Sequence, residues 1–228
     1  MKILLVASAW MEVKLLVEEL DKVDEQSHLF KQYRWNDIEV DILITGIGTT
    51  FTAFHLTNVL KENSYNKVIN IGLARSLTNE LKIGDTVNVV SDEFADLGIE
   101  KKHEFLTLFD SGFIGINEFP FESGSLKAAA PGSWIDLVKV RGITLNRTPG
   151  RENSISEIKT KFSAHVESAE GAAVFYVCRW MGVDCFQIRS VSNYVEPGYS
   201  AQWNIPLALE NLKNSVLQVF QKISIPVN

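Results

Sequence analysis

The chain has 228 residues, of which 46% are hydrophobic and 22% are charged. This composition is typical of a folded globular domain and excludes a disordered chain, a collagen-like fibre and a small disulfide scaffold. Lys and Arg number 22 against 28 Asp and Glu, so the formal net charge is −6. Such a chain lacks the basic surface that binds nucleic acid or an anionic membrane, so we expect neither partner and favour a small polar ligand.

The length predicts one domain over residues 1–228, because single cores extend to about 250 residues before chains divide. No apolar run reaches the roughly 20 residues that cross a bilayer. The opening segment 3–9 ends in Ala-Ser-Ala, like a signal cleavage site, but its apolar part is shorter than the about 7–15 residues that a signal requires. We therefore predict a buried strand there. Cys178 and Cys185 lie in apolar surroundings and are expected to be reduced thiols of a cytoplasmic protein.

Short apolar segments alternate with amphipathic ones along the chain, which predicts an α/β fold. In chain order the pattern predicts a strand at 2–6, a helix at 12–20, a hairpin of 32–35 and 39–45, a helix at 50–60, strands at 67–71 and 86–91, helices at 154–161 and 171–181, a strand at 185–191 and a helix at 202–221. We expect a mixed, twisted central sheet with helices on both faces. Ligands of such sheets bind beyond the carboxyl ends of the strands.

Gly46 and Gly48 follow one of these strands, in the sequence GIGTT. A dinucleotide-binding fingerprint needs a third glycine three positions after the second, and Phe51 stands there. That class of site is therefore excluded. Two interpretations remain open, namely a tight turn in which glycine supplies unusual dihedrals and a helix N-terminus that binds a small polar group or an anion.

Three more polar residues stand at a predicted strand end or helix start. Glu12 begins a helix and could serve only the helix dipole. Glu170 lies among small residues in ESAEGAA; a buried carboxylate needs partners, which vicinal sugar hydroxyls can supply, or it could simply cap the helix. Asn193 ends an apolar strand, where it could read one edge of a heterocycle or form a turn. No spacing of His, Cys, Asp and Glu predicts a metal site.

Taken together, six segments resemble the nucleoside phosphorylase and nucleosidase superfamily, especially its methylthioadenosine nucleosidases. They are MKILLVASAWMEV at 1–13, GIG at 46–48, VINIGLARSL at 68–77, IGDTVNVVSDEFAD at 83–96, AEGAA at 169–173 and IRSVSN at 188–193. The resemblance covers nearly the whole chain and implies a purine nucleoside phosphorylase-like fold. It also implies a purine nucleoside substrate, no cofactor, and a homodimer whose partner subunit closes the pocket for the 5′ substituent.

The resemblance implies two carboxylate roles. Glu12 would be the general base that activates water. Glu170, preceded by Ala169 where the family has Met, would hold the ribose hydroxyls. Gly46 and Gly48 would form the loop beside the attacking nucleophile.

Further positions are implied around the substrate. Gly72, Leu73 and Ala74 would form the strand end that meets it. Phe162 would stack on the base, although a buried phenylalanine is equally expected in plain core packing. Asn193 would contact the base, in place of the Asp of methylthioadenosine nucleosidases.

The replacement of Asp by Asn193 favours a different base. Asn has no proton to give to adenine, but it can hydrogen-bond N7 and O6 of a 6-oxopurine. The segments SNYVEP, WNIP and FADLG also resemble the futalosine hydrolases, enzymes of an alternative menaquinone pathway. Arg75 and Ser76 replace a small pair in the family pattern. Arg75 is a candidate for binding the carboxylate of the 5′ substituent, or it is an ordinary solvated surface residue.

Hydrolysis is predicted over phosphorolysis. Arginines are the natural readers of phosphate, and none stands near Gly46 and Gly48 in the sequence. Glu12 would repel phosphate but could activate water. Together with the resemblance to futalosine hydrolases, this implies an N-ribosyl hydrolase that cleaves futalosine to hypoxanthine and dehypoxanthine futalosine. The alternatives are a methylthioadenosine/S-adenosylhomocysteine-type or other purine nucleosidase, and a catalytically silent nucleoside-binding protein on the same fold.

Overall fold

A computed structural model describes residues 1–102, 104–130, 134–198 and 202–224. Its strands are β1 (Lys2–Ala7), β2 (Asp21–Glu25), β3 (Phe30–Trp35), β4 (Ile38–Ile44), β5 (Lys67–Ser76), β6 (Thr86–Phe94), β7 (Gly98–Glu100), β8 (Phe105–Thr107), β9 (Leu126–Lys127), β10 (Val138–Thr144), β11 (Val166–Ser168) and β12 (Cys185–Tyr194). Its α-helices are α1 (Lys14–Val17), α2 (Thr49–Glu62), α3 (Glu152–Lys161), α4 (Gly171–Met181) and α5 (Ile205–Ser224). A 3-10 turn, Trp10–Glu12, precedes α1.

The centre of the molecule is a ten-stranded mixed sheet in which β12, β5, β1 and β4 lie side by side and parallel. Parallel strands buried on both faces need a nearly continuous apolar sequence, and β1 supplies one in KILLVA. Because side chains alternate along a strand, Leu4 and Val6 pack with α2 and α4 on one face. Ile3 and Leu5 pack with α5 on the other face.

The sheet also closes on itself at one side. β11 pairs in parallel with β10 and antiparallel with β5, so β5, β12, β6, β10 and β11 form a ring of neighbouring strands. This closure places Glu167 of β11, Arg75 of β5 and Asn193 of β12 in one register row across three adjacent strands. The segments that follow β1 and β4 lie beside β5 and the start of α4.

The predicted fold class, a mixed sheet with helices on both faces, is confirmed. The helix at 171–181 has the predicted bounds. β5, β6 and β12 extend three residues or more beyond their predicted ends, because their polar terminal residues remain paired with neighbouring strands. The C-terminal helix begins at Ile205, later than predicted.

The predicted helix at 12–20 is wrong in extent, since only the short α1 and the 3-10 turn before it are helical. The strands β2, β7, β8, β9, β10 and β11 were not predicted. β2 is exposed at every residue, and β10 mixes charged and apolar residues, so neither has the apolar signature of a buried strand. β11 lies directly before the segment of small residues that contains Glu170.

No helix in the described ranges is long and apolar enough to cross a membrane. Cys178 and Cys185 are buried free thiols, as predicted. Burial raises the pKa of the Cys185 thiol well above its usual range, which keeps it in the unreactive protonated form.

Candidate active site

Glu12 is held at the end of β1 by hydrogen bonds. Its Oε2 accepts from the Ser8 amide at 2.9 Å, the Ser8 hydroxyl at 2.8 Å and the Ala9 amide at 3.2 Å. Its Oε1 accepts from the Leu73 amide at 2.9 Å, in the neighbouring strand β5. All four partners are donors, which is the set that an ionised carboxylate accepts.

Gly72 gives Glu12 and Arg189 room to approach the sheet. A Cβ on Gly72 would lie 2.5 Å from Glu12 Oε1 and would also collide with Arg189 Nη1. Arg189 is the register partner of Gly72 in β12. The carboxylate and the guanidinium therefore lie over the same face of Gly72, and any side chain there would displace them.

Glu170 reaches the same place as the residue before α4. Its Oε1 accepts from the Gly48 amide at 3.1 Å, across 122 residues of sequence. Gly48 precedes α2 and has φ +100°, a backbone conformation that favours glycine. Burial raises the pKa of Glu170, an effect that Arg189 opposes and the nearby Glu12 reinforces. The two predicted carboxylates and the glycine loop thus form one cluster.

Arg189 is the residue that the sequence reasoning missed. It is completely buried, and its guanidinium has no hydrogen-bond partner in the part of the chain that the structure describes. Nη2 lies 3.8 Å from Glu170 Oε2, an ion-pair contact that is too long for a hydrogen bond. A buried cation without hydrogen bonds is costly. The available signal was a charged residue in the middle of the apolar segment CFQIRSV.

The position of Arg189 also corrects one premise of the sequence analysis. No arginine is near Gly46 and Gly48 in the sequence, but in the fold Arg189 contacts Glu170, which binds Gly48. Gly46 itself has φ +83° and leads the chain from β4 into this loop. The case for hydrolysis therefore cannot rest on a lack of arginine at the site.

Asp92, Thr144 and Gln187 form a layer of buried polar side chains next to Arg189. Asp92 accepts from Thr144 Oγ1 at 2.8 Å and from Gln187 Nε2 at 3.0 Å. Burial raises the pKa of Asp92 to about 6, while these hydrogen bonds and Arg189 act in the opposite direction. A Cβ on Gly171 would collide with Asp92 and Gln187, so this glycine lets the first turn of α4 approach the layer closely.

Asn193 is fully buried near the end of β12, just after an irregularity in the pairing with β5. Its Nδ2 donates to the Tyr194 carbonyl at 3.0 Å, and its Oδ1 accepts from Ser192 Oγ at 2.8 Å. Because the Tyr194 carbonyl can only accept, the amide atom that faces it must be the nitrogen. Contacts to the described residues leave one N–H and one lone pair of the amide available. Asn193 also lines a small pocket with Arg75, Pro149 and Trp203.

Arg75 is not a solvated surface residue, and that alternative is wrong. Its side chain is 14% exposed, and its Nε donates to Glu167 Oε1 at 2.7 Å. A second, longer contact joins Nη2 to the Pro149 carbonyl at 3.5 Å. The Arg75–Glu167 pair therefore joins β5 to β11 next to Asn193.

Phe162 follows α3 and packs in a buried cluster with Leu145 and Val195. It also lines a cavity of about 700 Å³ that shares Pro149 and Gly150 with the pocket at Asn193. Both interpretations of this side chain, core packing and contact with a ligand, remain compatible with its position.

The other predicted positions lie around the carboxylate cluster. Leu73 binds Glu12 through its amide. The Ala74 carbonyl lies 3.3 Å from Ser192 Oγ, beside Asn193. Ala169 is partly buried directly before Glu170. Among the described residues no group of three or more His, Cys, Asp or Glu side chains could hold a metal ion.

The sequence and the fold match known proteins over most of the chain. Among curated relatives, the futalosine hydrolase of Streptomyces coelicolor is 30% identical over 77% of this chain and 76% of its own length. That of Thermus thermophilus is 27% identical over 76% and 78%, respectively. Among solved structures, the MTA/SAH nucleosidase of Streptococcus pneumoniae in complex with 8-aminoadenine has a TM-score of 0.80 at 18% identity, over 97% of this chain and 100% of that one. The family model of the phosphorylase superfamily matches residues 2–223, and the chain belongs to this superfamily.

Proposed function

We propose that this protein is a futalosine hydrolase that cleaves the N-ribosyl bond and releases hypoxanthine. The observation that carries the proposal is the meeting of Glu12, Glu170 and Arg189 at the strand ends that lead to Asn193. The Arg189 guanidinium makes no hydrogen bond to any described residue. Two carboxylates and one guanidinium suit a water nucleophile, a ribose and a developing positive charge. The two curated relatives named above, both futalosine hydrolases, support this choice of substrate.

Glu12 is the general base in this mechanism. Water attacks the anomeric carbon and gives one proton to Glu12, while the bond to the purine nitrogen breaks and its electron pair leaves with the base. The departing purine anion then takes a proton from solvent to become hypoxanthine, and Glu12 returns its proton to solvent. The four donors around Glu12 fix the carboxylate in place. Arg189 approaches the same face of Gly72, and its N–H groups can orient the water oxygen.

Glu170 holds the sugar. Its Oε1 is bound by the Gly48 amide, and the remaining acceptor sites can receive the vicinal ribose hydroxyls. As the bond to the base breaks, positive charge develops on the ribose, and a nearby carboxylate stabilises that charge. The proximity of Glu12 and Arg189 lets the three groups act on one face of the sugar.

Asn193 stabilises the departing base. Its free N–H donates to N7 of hypoxanthine while negative charge moves into the ring. The amide cannot protonate adenine, so a nucleosidase for a 6-amino purine would lack its acid here. This residue therefore disfavours the methylthioadenosine alternative.

The charges of the cluster favour water over phosphate as the nucleophile. Glu12 and Glu170 carry two negative charges against the one positive charge of Arg189, and Arg189 already faces Glu170. A phosphate dianion would meet net negative charge in a buried site, where repulsion is weakly screened.

The proposal includes a cytoplasmic enzyme of the alternative menaquinone pathway, in agreement with the free Cys178 and Cys185. It also includes a homodimer. Ile47, Phe51 and Phe54 form an apolar surface at the loop before α2 and on its first turns, and each is more than half exposed. A second copy of the chain would cover this α2 surface and enclose the glycine loop beside Glu170.

The dimer can be tested by sedimentation velocity at micromolar concentration. The wild type should sediment as a dimer, and a Phe51→Glu, Phe54→Glu double variant should sediment as a monomer. Val23→Glu is the matched control, because Val23 is also an exposed apolar residue but lies on β2. A monomeric wild type would contradict this part of the proposal.

The activity is tested by incubating the protein with futalosine and separating the products by chromatography. We expect hypoxanthine from the wild type and from Glu19→Gln, an exposed glutamate that serves as control. Glu12→Gln should retain product binding and lose turnover by about two to four orders of magnitude, the usual contribution of a general base. Turnover of Glu12→Gln near the wild-type rate would remove Glu12 from the mechanism.

A further inference from the structure

Glu167 and Arg75 form a polar pair that the proposed mechanism does not use. Glu167 is 5% exposed, and its Oε1 accepts from Arg75 Nε at 2.7 Å. Its Oε2 is buried and has no hydrogen-bond partner among the described residues. Burial raises the pKa of Glu167, and Arg75 opposes this effect. An additional N–H donor at Oε2 would therefore be strongly favoured.

The pair lies on the base side of the site. Arg75 is the register partner of Asn193 on one side and of Glu167 on the other. Register partners in adjacent strands point to the same face of a sheet. Arg75 and Asn193 also line the same pocket. Leu73, whose amide binds the general base, lies only two residues before Arg75 in β5.

Three hydrogen-bonding groups thus stand in a row across β12, β5 and β11, in the order amide, guanidinium, carboxylate. Within the part of the chain that the structure describes, one N–H of Asn193 has no partner. Among the described residues, Arg75 donates through its Nε and Nη2, which leaves other guanidinium N–H groups to donate. Glu167 offers the unpartnered acceptor Oε2. From β12 to β11, the row therefore presents two hydrogen-bond donors followed by one acceptor.

We infer that Arg75 and Glu167 select a 6-oxopurine as the base, an assignment that rests on the proposed nucleoside hydrolysis. One edge of hypoxanthine presents N7 as acceptor, O6 as acceptor and N1–H as donor, in that order. Asn193 donates to N7, Arg75 donates to O6, and Glu167 Oε2 accepts from N1–H. Adenine reverses the last two groups, since it has an amino donor at position 6 and an acceptor at N1. Arg75 is therefore a base-reading residue and does not bind the 5′ carboxylate.

The test compares the binding of hypoxanthine and adenine to the full-length protein by isothermal titration calorimetry. Glu167→Gln keeps a carbonyl for Arg75 Nε and places an NH₂ donor at the free position, where it matches N1 of adenine. Its preference for hypoxanthine should fall by about tenfold or more, because a buried unmatched polar group strongly disfavours the wrong ligand. Arg75→Lys should weaken hypoxanthine binding, since one ammonium cannot replace the planar fork that reaches both Glu167 and O6.

Matched controls are Glu25→Gln, an ion-paired glutamate on the distant strand β2, and Arg34→Lys, an exposed arginine on β3. Both should keep the wild-type ratio of the two dissociation constants. That ratio is measured on one preparation, so a loss of folded protein does not change it. An unchanged ratio in Glu167→Gln or Arg75→Lys, in a protein whose wild type releases hypoxanthine from futalosine, would overturn this inference and leave the proposed function intact. A wild type that binds hypoxanthine selectively but releases none would instead overturn the proposed function.

Discussion

Gly72→Ala is the smallest change that tests the arrangement of the site. The added methyl group would lie 2.5 Å from Glu12 Oε1 and would also collide with Arg189 Nη1. Neither group can move freely, because Glu12 is bound by Ser8, Ala9 and Leu73 and Arg189 is fully buried. A displacement of the general base by about 1 Å can reduce turnover ~100-fold. Overpacking of a buried site also destabilises a protein by about 1–3 kcal/mol.

The assay is steady-state hydrolysis of futalosine, together with urea unfolding of the same preparations. Gly115→Ala is the control, because a Cβ there would have its nearest neighbours at 3.6–3.9 Å and the residue does not have a positive φ. We expect turnover of Gly72→Ala to fall ~100-fold while the protein stays folded, and Gly115→Ala to resemble the wild type. Near-wild-type turnover of Gly72→Ala would refute the reasoning that Glu12 and Arg189 are held against this strand.

Three further substitutions probe the same site. Glu170→Gln should raise KM and lower kcat together in steady-state assays, and a variant changed only in stability would show that Glu170 is a structural cap. Asn193→Asp should shift the substrate preference, measured as a ratio of kcat/KM values, from 5′-methylthioinosine toward 5′-methylthioadenosine. Its rate should also gain a dependence on acidic pH. A ratio that does not move would remove Asn193 as the base contact. Because burial raises the Asp92 pKa to about 6 from 3.8, its protonated form favours folding; this stability is present at low pH and is lost as pH rises through the folded pKa. Urea unfolding should show the wild type losing about 2 kcal/mol relative to Asp92→Asn between about pH 4 and pH 7, and parallel pH profiles would contradict this.

Much of the fold follows from local patterns in the sequence. β1 and α4 are predicted well because their residues are almost all apolar and buried, so the periodicity is clear. β10 and β11 are not predicted, because their pairing depends on partners far along the chain. The closed ring that β11 completes is a long-range property with no local signal.

In the candidate site, too, residues with a local sequence signal are predicted and residues that depend on long-range contacts are not. Glu12, Glu170 and Asn193 were predicted from motifs at strand ends and helix starts, and they belong to the same end of the sheet. Arg189 was missed because it lies inside an apolar strand, where a charged residue is noticed only once its neighbours are known. The pairing of Arg75 with Glu167 joins β5 to a strand that no pattern predicts. The sequence therefore leaves Arg75 either as a ligand-binding residue or as a solvated surface residue, and the second alternative is wrong.

The central claim is that the chain hydrolyses a 6-oxopurine nucleoside with water as the nucleophile. The most direct measurement is the product analysis, by liquid chromatography and mass spectrometry, of wild-type protein with futalosine in concentrated phosphate buffer. The account predicts hypoxanthine and free dehypoxanthine futalosine in equal amounts. A sugar 1-phosphate, or no release of hypoxanthine while adenine nucleosides are cleaved, would contradict it.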